Sequence, residues 1–208
     1  MGRALTIRLH EGDLPEDTGF GASVAIDTET MGLAVGRDRL CVVQLSRGDG
    51  SAEIVRIAPG QRAAPRLTAM LADPGVTKLF HFGRFDMAVL AHAFGVMPAP
   101  VYCTKIASKL ARTYTDRHGL KDLVKELLGV EISKQQQSSD WGAASLSEAQ
   151  LAYAASDVLH LHALKARLDA MLAREGRASL AQACFDFLPM RATLDLAGWE
   201  DIDVFAHS

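Results

Sequence analysis

The stretch Val24-Ala25-Ile26-Asp27-Thr28-Glu29-Thr30 starts as a run of apolar residues and ends in two carboxylates. Its β-branched and small side chains suit a pleated, buried strand, and residues 23–28 read as one. Two more β-rich runs follow at 40–46 and 53–57, set off by the turn-forming segments Met31-Gly32 and Gly48-Asp49-Gly50. Short spacings with glycine between them predict an antiparallel meander. Upstream, Thr6-Ile7-Arg8-Leu9-His10 alternates polar and apolar and leads into a polar turn, which predicts an edge strand. Downstream the pattern changes. Residues 62–72 read as a helix stopped by Asp73-Pro74-Gly75, 77–82 as a strand, and 84–94 as a helix ended by Gly95. From Cys103 onward the chain reads as helical, over 104–111, 119–128 and 147–174, with an N-cap in Ser145-Leu146-Ser147-Glu148. The expected fold is α/β: a mixed sheet with an antiparallel meander, extended by later strands and flanked by helices.

The 208 residues suit one domain, which typically takes about 100–200. At 49% hydrophobic and 23% charged, the composition is that of a packed globular chain and excludes disordered or collagenous classes. No apolar run reaches the roughly 18 residues of a membrane span and no secretory leader is visible, so no membrane partner and a cytoplasmic location are expected. Cys41, Cys103 and Cys184 are odd in number and scattered, which fits reduced, buried thiols. The net charge of −3 excludes gripping long nucleic acid by bulk positive charge, although it leaves room for a local basic face. Residues 103–135 supply such a candidate, with Lys105, Lys109, Arg112, Arg117, Lys121, Lys125 and Lys134 outnumbering four acids. A solvated helix face and a phosphate contact both explain that stretch.

Three segments carry acids in positions where chemistry is possible. Asp27 and Glu29 are spaced i, i+2, which on a strand puts both on one face about 7 Å apart, within reach of one divalent cation. Carboxylate oxygens suit hard cations such as Mg²⁺ or Mn²⁺; the plain alternative is a strand running into a polar turn. In Lys78-Leu79-Phe80-His81-Phe82-Gly83-Arg84-Phe85-Asp86, the acid falls in the first turn of a helix, where complementing the helix dipole is an ordinary purpose. In Tyr153-Ala154-Ala155-Ser156-Asp157, the phenol and the acid are i, i+4 on one helix face lined with alanine, so a neighbouring element can come close.

Taken together, Asp27-Thr28-Glu29, the His81 to Asp86 segment and Tyr153 with Asp157 resemble the motifs of the DEDDy branch of the DnaQ-like 3′-5′ exonucleases, and ribonuclease D in particular. The Tyr-x-x-x-Asp spacing separates this branch from its sibling. Supporting stretches are Leu120-Lys121-Asp122-Leu123, Glu126-Leu127-Leu128-Gly129-Val130, and Lys134 with Ser139-Asp140-Trp141. Residues 184–208 and the segments Arg39-Leu40-Cys41-Val42-Val43-Gln44-Leu45 and Thr113-Tyr114-Thr115-Asp116-Arg117-His118-Gly119-Leu120 are similar to the short bacterial nano-RNase C group.

The resemblance implies an RNase H-like fold in a single exonuclease domain over residues 1–208, with a catalytic core at about 20–175 and no helical HRDC domain after it. It implies two divalent cations, Mg²⁺ or Mn²⁺, held by Asp27, Glu29, Asp86 and Asp157, with Tyr153 beside the attacking water. The implied substrate is very short RNA, down to dinucleotides, with DNA an open possibility. The implied assembly is a homo-oligomer, an octameric ring. Thr28, Thr30, Gly32 and Leu33 directly follow the acids and are candidates for the terminal base and sugar; His81 and Arg84 are candidates for phosphate. The apolar tail at 184–208 is expected either to pack on its own domain or to form subunit contacts. An alternative enzyme reading is a broader exonuclease trimming longer RNA or DNA 3′ ends. A catalytically dead binding module is a third reading, and the complete set of four acids and a tyrosine argues against it.

Overall fold

The structure, a computed structural model, describes residues 5–133 and 135–207; Lys134 and Ser208 of the segments named above lie outside them. Six strands form one sheet: β1 (Thr6–Glu11), β2 (Ser23–Thr30), β3 (Leu40–Ser46), β4 (Ser51–Arg56), β5 (Thr77–Phe80) and β6 (Val101–Cys103). Their order is β1-β4-β3-β2-β5-β6. β2, β3 and β4 pair antiparallel as the expected meander, and β1, β5 and β6 join it in parallel. β3, buried along its whole length, runs through the centre, while β1 lies on the edge with an alternating pattern of exposure. The near-continuous apolar composition of β3 is what a strand covered on both faces requires.

The helices are α1 (Pro65–Ala72), α2 (Gly83–Phe94), α3 (Thr104–Ala111), α4 (Leu120–Leu123) continued by a π-turn over Val124–Leu128, α5 (Glu148–Leu159), α6 (Leu161–Arg174) and α7 (Ala178–Leu196). α5 starts where the sequence indicates: the Ser147 hydroxyl accepts from the Gln150 N–H while the Gln150 side chain returns to the Ser147 N–H, a complete capping box. α2 ends at Gly95 in the left-handed conformation, the ordinary glycine C-cap.

Three expectations need correction, and two elements, β6 and α7, have no counterpart among them. The single helix over 147–174 is two helices that meet at His160. The buried stripe Ala154, Val158, Leu161, Leu164, Leu168, Leu172 keeps helical spacing across the break, so periodicity gives no sign of it. The strand expected to reach residue 82 stops at Phe80, and the expected helix at 119–128 passes into a π-turn. β6, three residues long, is too short to produce a pattern. The segment after residue 178 forms α7, with Pro189 inside it. One face of α7, through Ala181, Phe185, Leu188 and Ala192, joins the core, whereas Phe187, Met190, Trp199, Ile202 and Phe205 remain exposed. Cys41 and Cys103 are buried as expected; Cys184 is half-buried.

Candidate active site

β2 lies inside the sheet, and Asp27 and Glu29 near its C-terminal end point to one side. α5 packs across β2, β3 and β4 and brings Asp157 to them. One carboxylate oxygen from each of Asp27, Glu29 and Asp157 lies within 4.8 Å of the others. Asp86 enters from the first turn of α2, almost fully buried, where the Thr28 hydroxyl donates to its Oδ1 at 2.6 Å. These four acids and Tyr153 line one solvent-connected cavity of about 260 Å³, together with Thr28, His81, Phe82, Phe85, Lys121 and several residues of the 120–137 segment.

The electrostatics of this cavity oppose the ionised acids, a repulsion that a bound cation would relieve. Burial first, then the neighbouring charges of Asp86, Asp157 and Glu29, pushes the Asp27 carboxyl well above its ordinary value. Glu29 is pushed up to about 9 by burial and by Asp157 and Asp86. Burial raises Asp86 to about 7 against the opposing hydrogen bond from Thr28. A dication among three converging carboxylates would remove that repulsion, and an all-oxygen donor set selects a hard ion. The residues therefore fit a divalent metal ion.

The phenol of Tyr153 is raised above its ordinary range, chiefly by burial and next by Asp157, Glu29 and Asp27. It keeps its proton at neutral pH and serves as a hydrogen-bonding group. Behind it, buried Trp141 packs with its ring centroid 6.0 Å from that of Tyr153 and fixes the ring's position. His81 has an assignable tautomer. The Thr104 hydroxyl donates its one proton to the Phe80 carbonyl at 3.2 Å, so His81 Nδ1, 2.9 Å from that oxygen, must be the donor. In the neutral ring, Nε2 is then an acceptor.

The remaining candidates divide. Thr28 and His81 line the acid cavity. Leu33, 85% exposed, and Arg84 line a larger neighbouring cavity of about 660 Å³ that shares Phe82 and Phe85 with the first. Arg84 is not presented to the acids: its guanidinium grips the Asp195 carboxylate through two nitrogens, at 2.5 and 2.7 Å, and also reaches the Glu200 carbonyl. Thr30 and Gly32 line neither cavity; the Thr30 hydroxyl closes the turn on the Gly32 carbonyl, and Gly32 lies against the Asp38 carboxylate. The basic stretch is also sorted. Arg112 is fully buried against Glu126, Lys125 pairs with Glu131, and Lys121 lines the acid cavity.

Gln44 is a residue of the site that no motif in the sequence singles out. It stands opposite Asp27 in the β2–β3 register and donates Nε2 to Asp27 Oδ2 at 2.9 Å. The available signal was a lone amide in the otherwise apolar run Leu40-Cys41-Val42-Val43-Gln44-Leu45.

A family model described as 3′-5′ exonuclease matches residues 13–173. Ribonuclease D of Gluconacetobacter diazotrophicus is 42% identical over 154 residues, 74% of this chain and 39% of that protein. This chain thus spans about two fifths of the length of the curated relatives it matches. Among solved structures, Brucella melitensis NrnC bound to pGG is 63% identical with a TM-score of 0.96, over 99% of this chain and 100% of that one. The same nuclease with bound Mg²⁺ is 62% identical with a TM-score of 0.95, over 98% and 100%.

Proposed function

This chain belongs to the 3′-5′ exonuclease family, within it to the NrnC group, and on that premise we propose that it hydrolyses very short RNA from the 3′ end, down to dinucleotides, releasing nucleoside 5′-monophosphates. The observation that carries the reading is the convergence of Asp27, Glu29 and Asp157, from a strand and a separate helix, on a point beside Asp86 and Tyr153. The full-length similarity to an NrnC structure holding pGG supports the choice of a short substrate.

Asp27, Glu29 and Asp157 would hold one Mg²⁺ or Mn²⁺, and Asp27 with Asp86 a second. Such ions lower the pKa of bound water and offset the charge that builds on the phosphate and on the leaving oxygen. Within that frame each side chain has a definite task. Gln44 and Thr28 hold the carboxylates of Asp27 and Asp86 in fixed rotamers by donating to one oxygen of each. Tyr153, protonated, orients the attacking water instead of deprotonating it. Water adds to phosphorus, the P–O3′ bond breaks, and the proton count closes on a 5′-phosphate and a 3′-hydroxyl. His81 Nε2 and Lys121 at the cavity wall are the candidates to meet substrate hydroxyl and phosphate groups.

The exposed apolar residues of α7 and the segment after it, Phe187, Met190, Trp199, Ile202 and Phe205, support assembly into a homo-oligomeric ring, which we take to be an octamer. Light scattering before and after deleting residues 198–208 tests this; an unchanged mass would move the interface elsewhere. The enzymatic reading is tested by an oligonucleotide length series with Mg²⁺, with Mn²⁺ and with chelator. Preference for two-nucleotide RNA over 10-mers supports it. Equal or better cleavage of long RNA or DNA would instead favour a general 3′-end trimming enzyme.

A further inference from the structure

Between β5 and α2 the chain turns at Phe82, with φ 66° and ψ 41°. Among the described residues it is the one non-glycine with positive φ. The left-handed region crowds Cβ against the backbone, so a phenylalanine there is an outlier that surrounding structure has to hold in place. Glycine stands next door but serves another need: a Cβ at Gly83 would lie 2.6 Å from Phe80 Cβ, so close approach to the sheet occupies that position. Nor does packing offset the strain at Phe82. The side chain is 46% exposed, and the ring lines both cavities, four residues before Asp86. Lys105 Nζ, from the first turn of α3, lies 4.4 Å from the ring centroid and makes no ion pair among the described residues.

An exposed aromatic ring held at the mouth of a phosphodiesterase site, with an ammonium over it that has no ion-pair partner among the described residues, has the chemistry of a nucleobase platform. Every base has a π-face, so stacking recognises nucleotides without reading sequence, and the cation meets the adjoining phosphate. We propose that Phe82 is a specificity-determining residue: it stacks on a base of the substrate at the partition between the acid cavity and the larger cavity, with Lys105 paired to the phosphate beside that base. The proposal rests on the reading of the chain as a nuclease of short RNA and adds the group that recognises the substrate. Strain at position 82 is retained because an aromatic ring is needed there, and a residue that relaxes the backbone would remove the platform.

The test separates stability from recognition. Phe82→Gly accepts the left-handed backbone without strain, so its thermal midpoint should match or exceed that of the wild type. Its kcat/KM on pGG should fall roughly 10- to 100-fold, the range that loss of one aromatic–base stack predicts, with the loss mainly in KM. Phe82→Trp should keep most of the activity. Two abasic analogues of the dinucleotide, one lacking the 5′ base and one the 3′ base, locate the contact: on one of them wild type and Phe82→Gly should be equal. Undiminished kcat/KM in Phe82→Gly, or the same loss on both abasic analogues as on pGG, would overturn the proposal. Equilibrium binding of pGG in Ca²⁺ keeps this apart from the reading beneath it. A wild type that binds pGG through Phe82 without hydrolysing it would sink the nuclease reading and leave the platform standing; a wild type that hydrolyses pGG no better than Phe82→Gly does the reverse.

Discussion

The two cavities on either side of Phe82 and Phe85 both contain carboxylates, but they treat them in opposite ways. In the larger one, Asp195 is clamped between the guanidinium groups of Arg84 and Arg191. In the smaller one, Asp27 and Asp86 are met by the neutral donors Gln44 and Thr28, and burial with mutual repulsion raises Asp27, Glu29 and Asp86 above the ordinary carboxylate range. An acid matched by arginine fastens one element to another, here α2 to the end of α7. Acids gathered without such a match store an affinity for cations. Residue type is the same in both places; the partner decides the role.

The comparison is broken most directly at Asp27. Asp27→Asn should lower turnover by roughly three orders of magnitude or more, because on the proposed mechanism Asp27 is the carboxylate that both ions would share. The same change should leave the metal-free protein at least as stable as wild type, since it replaces a buried carboxyl whose ionised form burial and its acidic neighbours oppose. Oligonucleotide hydrolysis and thermal melts in chelator measure the two effects. An inactive variant that is also much less stable would mean that Asp27 is a structural acid like Asp195. A smaller effect is expected of Tyr153→Phe: about a 100-fold loss in kcat with little change in KM, as for a group that orients water without holding the ions. Metal titration of this variant should match wild type, and a shifted metal dependence would place Tyr153 in the ion-holding group.

On the other side of the partition, Asp195→Ala should cost about 1–3 kcal/mol in urea unfolding. That is less than a fully buried pair because Arg84 remains partly exposed. Its kcat should stay within about twofold of wild type, given that Arg84 and Asp195 line the larger cavity and not the acid site. Lost turnover without lost stability would give this ion pair a share in the chemistry and dissolve the contrast.

The sequence shows why one side of the contrast is readable and the other is not. Asp27 and Glu29 stand on a strand whose period is two, so their common face follows from spacing alone. Tyr153 and Asp157 follow likewise from the helical period. The meander β2-β3-β4 is legible because short turns leave antiparallel neighbours as the simple solution. Arg84, by contrast, sits two residues before a site acid and looks like a phosphate ligand until α7 supplies Asp195, 111 positions later. No local pattern encodes a pair across that separation. The break at His160 is invisible for a different reason: it carries neither proline nor glycine, and the buried stripe continues through it. Phe82 is hidden because its backbone angle is imposed by the strand-to-helix junction and runs against the preference of its own side chain.

The smallest expected effect concerns pH and probes the unmatched acids directly. Asp86 at about 7 and Glu29 at about 9 are raised in the fold above the value of about 4 that carboxylates have in an unfolded chain. Between those limits the folded state binds protons that the unfolded state has released. Their contribution to stability is complete below pH 4 and is lost as pH rises through 7 and then 9. In chelator the thermal midpoint should therefore decline from pH 5.5 to 9. With saturating Mg²⁺ the ion takes the place of the protons, so the midpoint difference between Mg²⁺ and chelator should widen over the same interval. Using the difference cancels histidines and other groups that titrate in both conditions. Asp86→Asn should remove the part of the widening that accrues below pH 7 and levels off there, and Asp195→Ala, whose acid is matched by arginine, should leave the widening intact. A difference that stays flat from pH 5.5 to 9 would show that the acids of the small cavity are ionised without an ion, and that the two cavities hold their carboxylates in the same way.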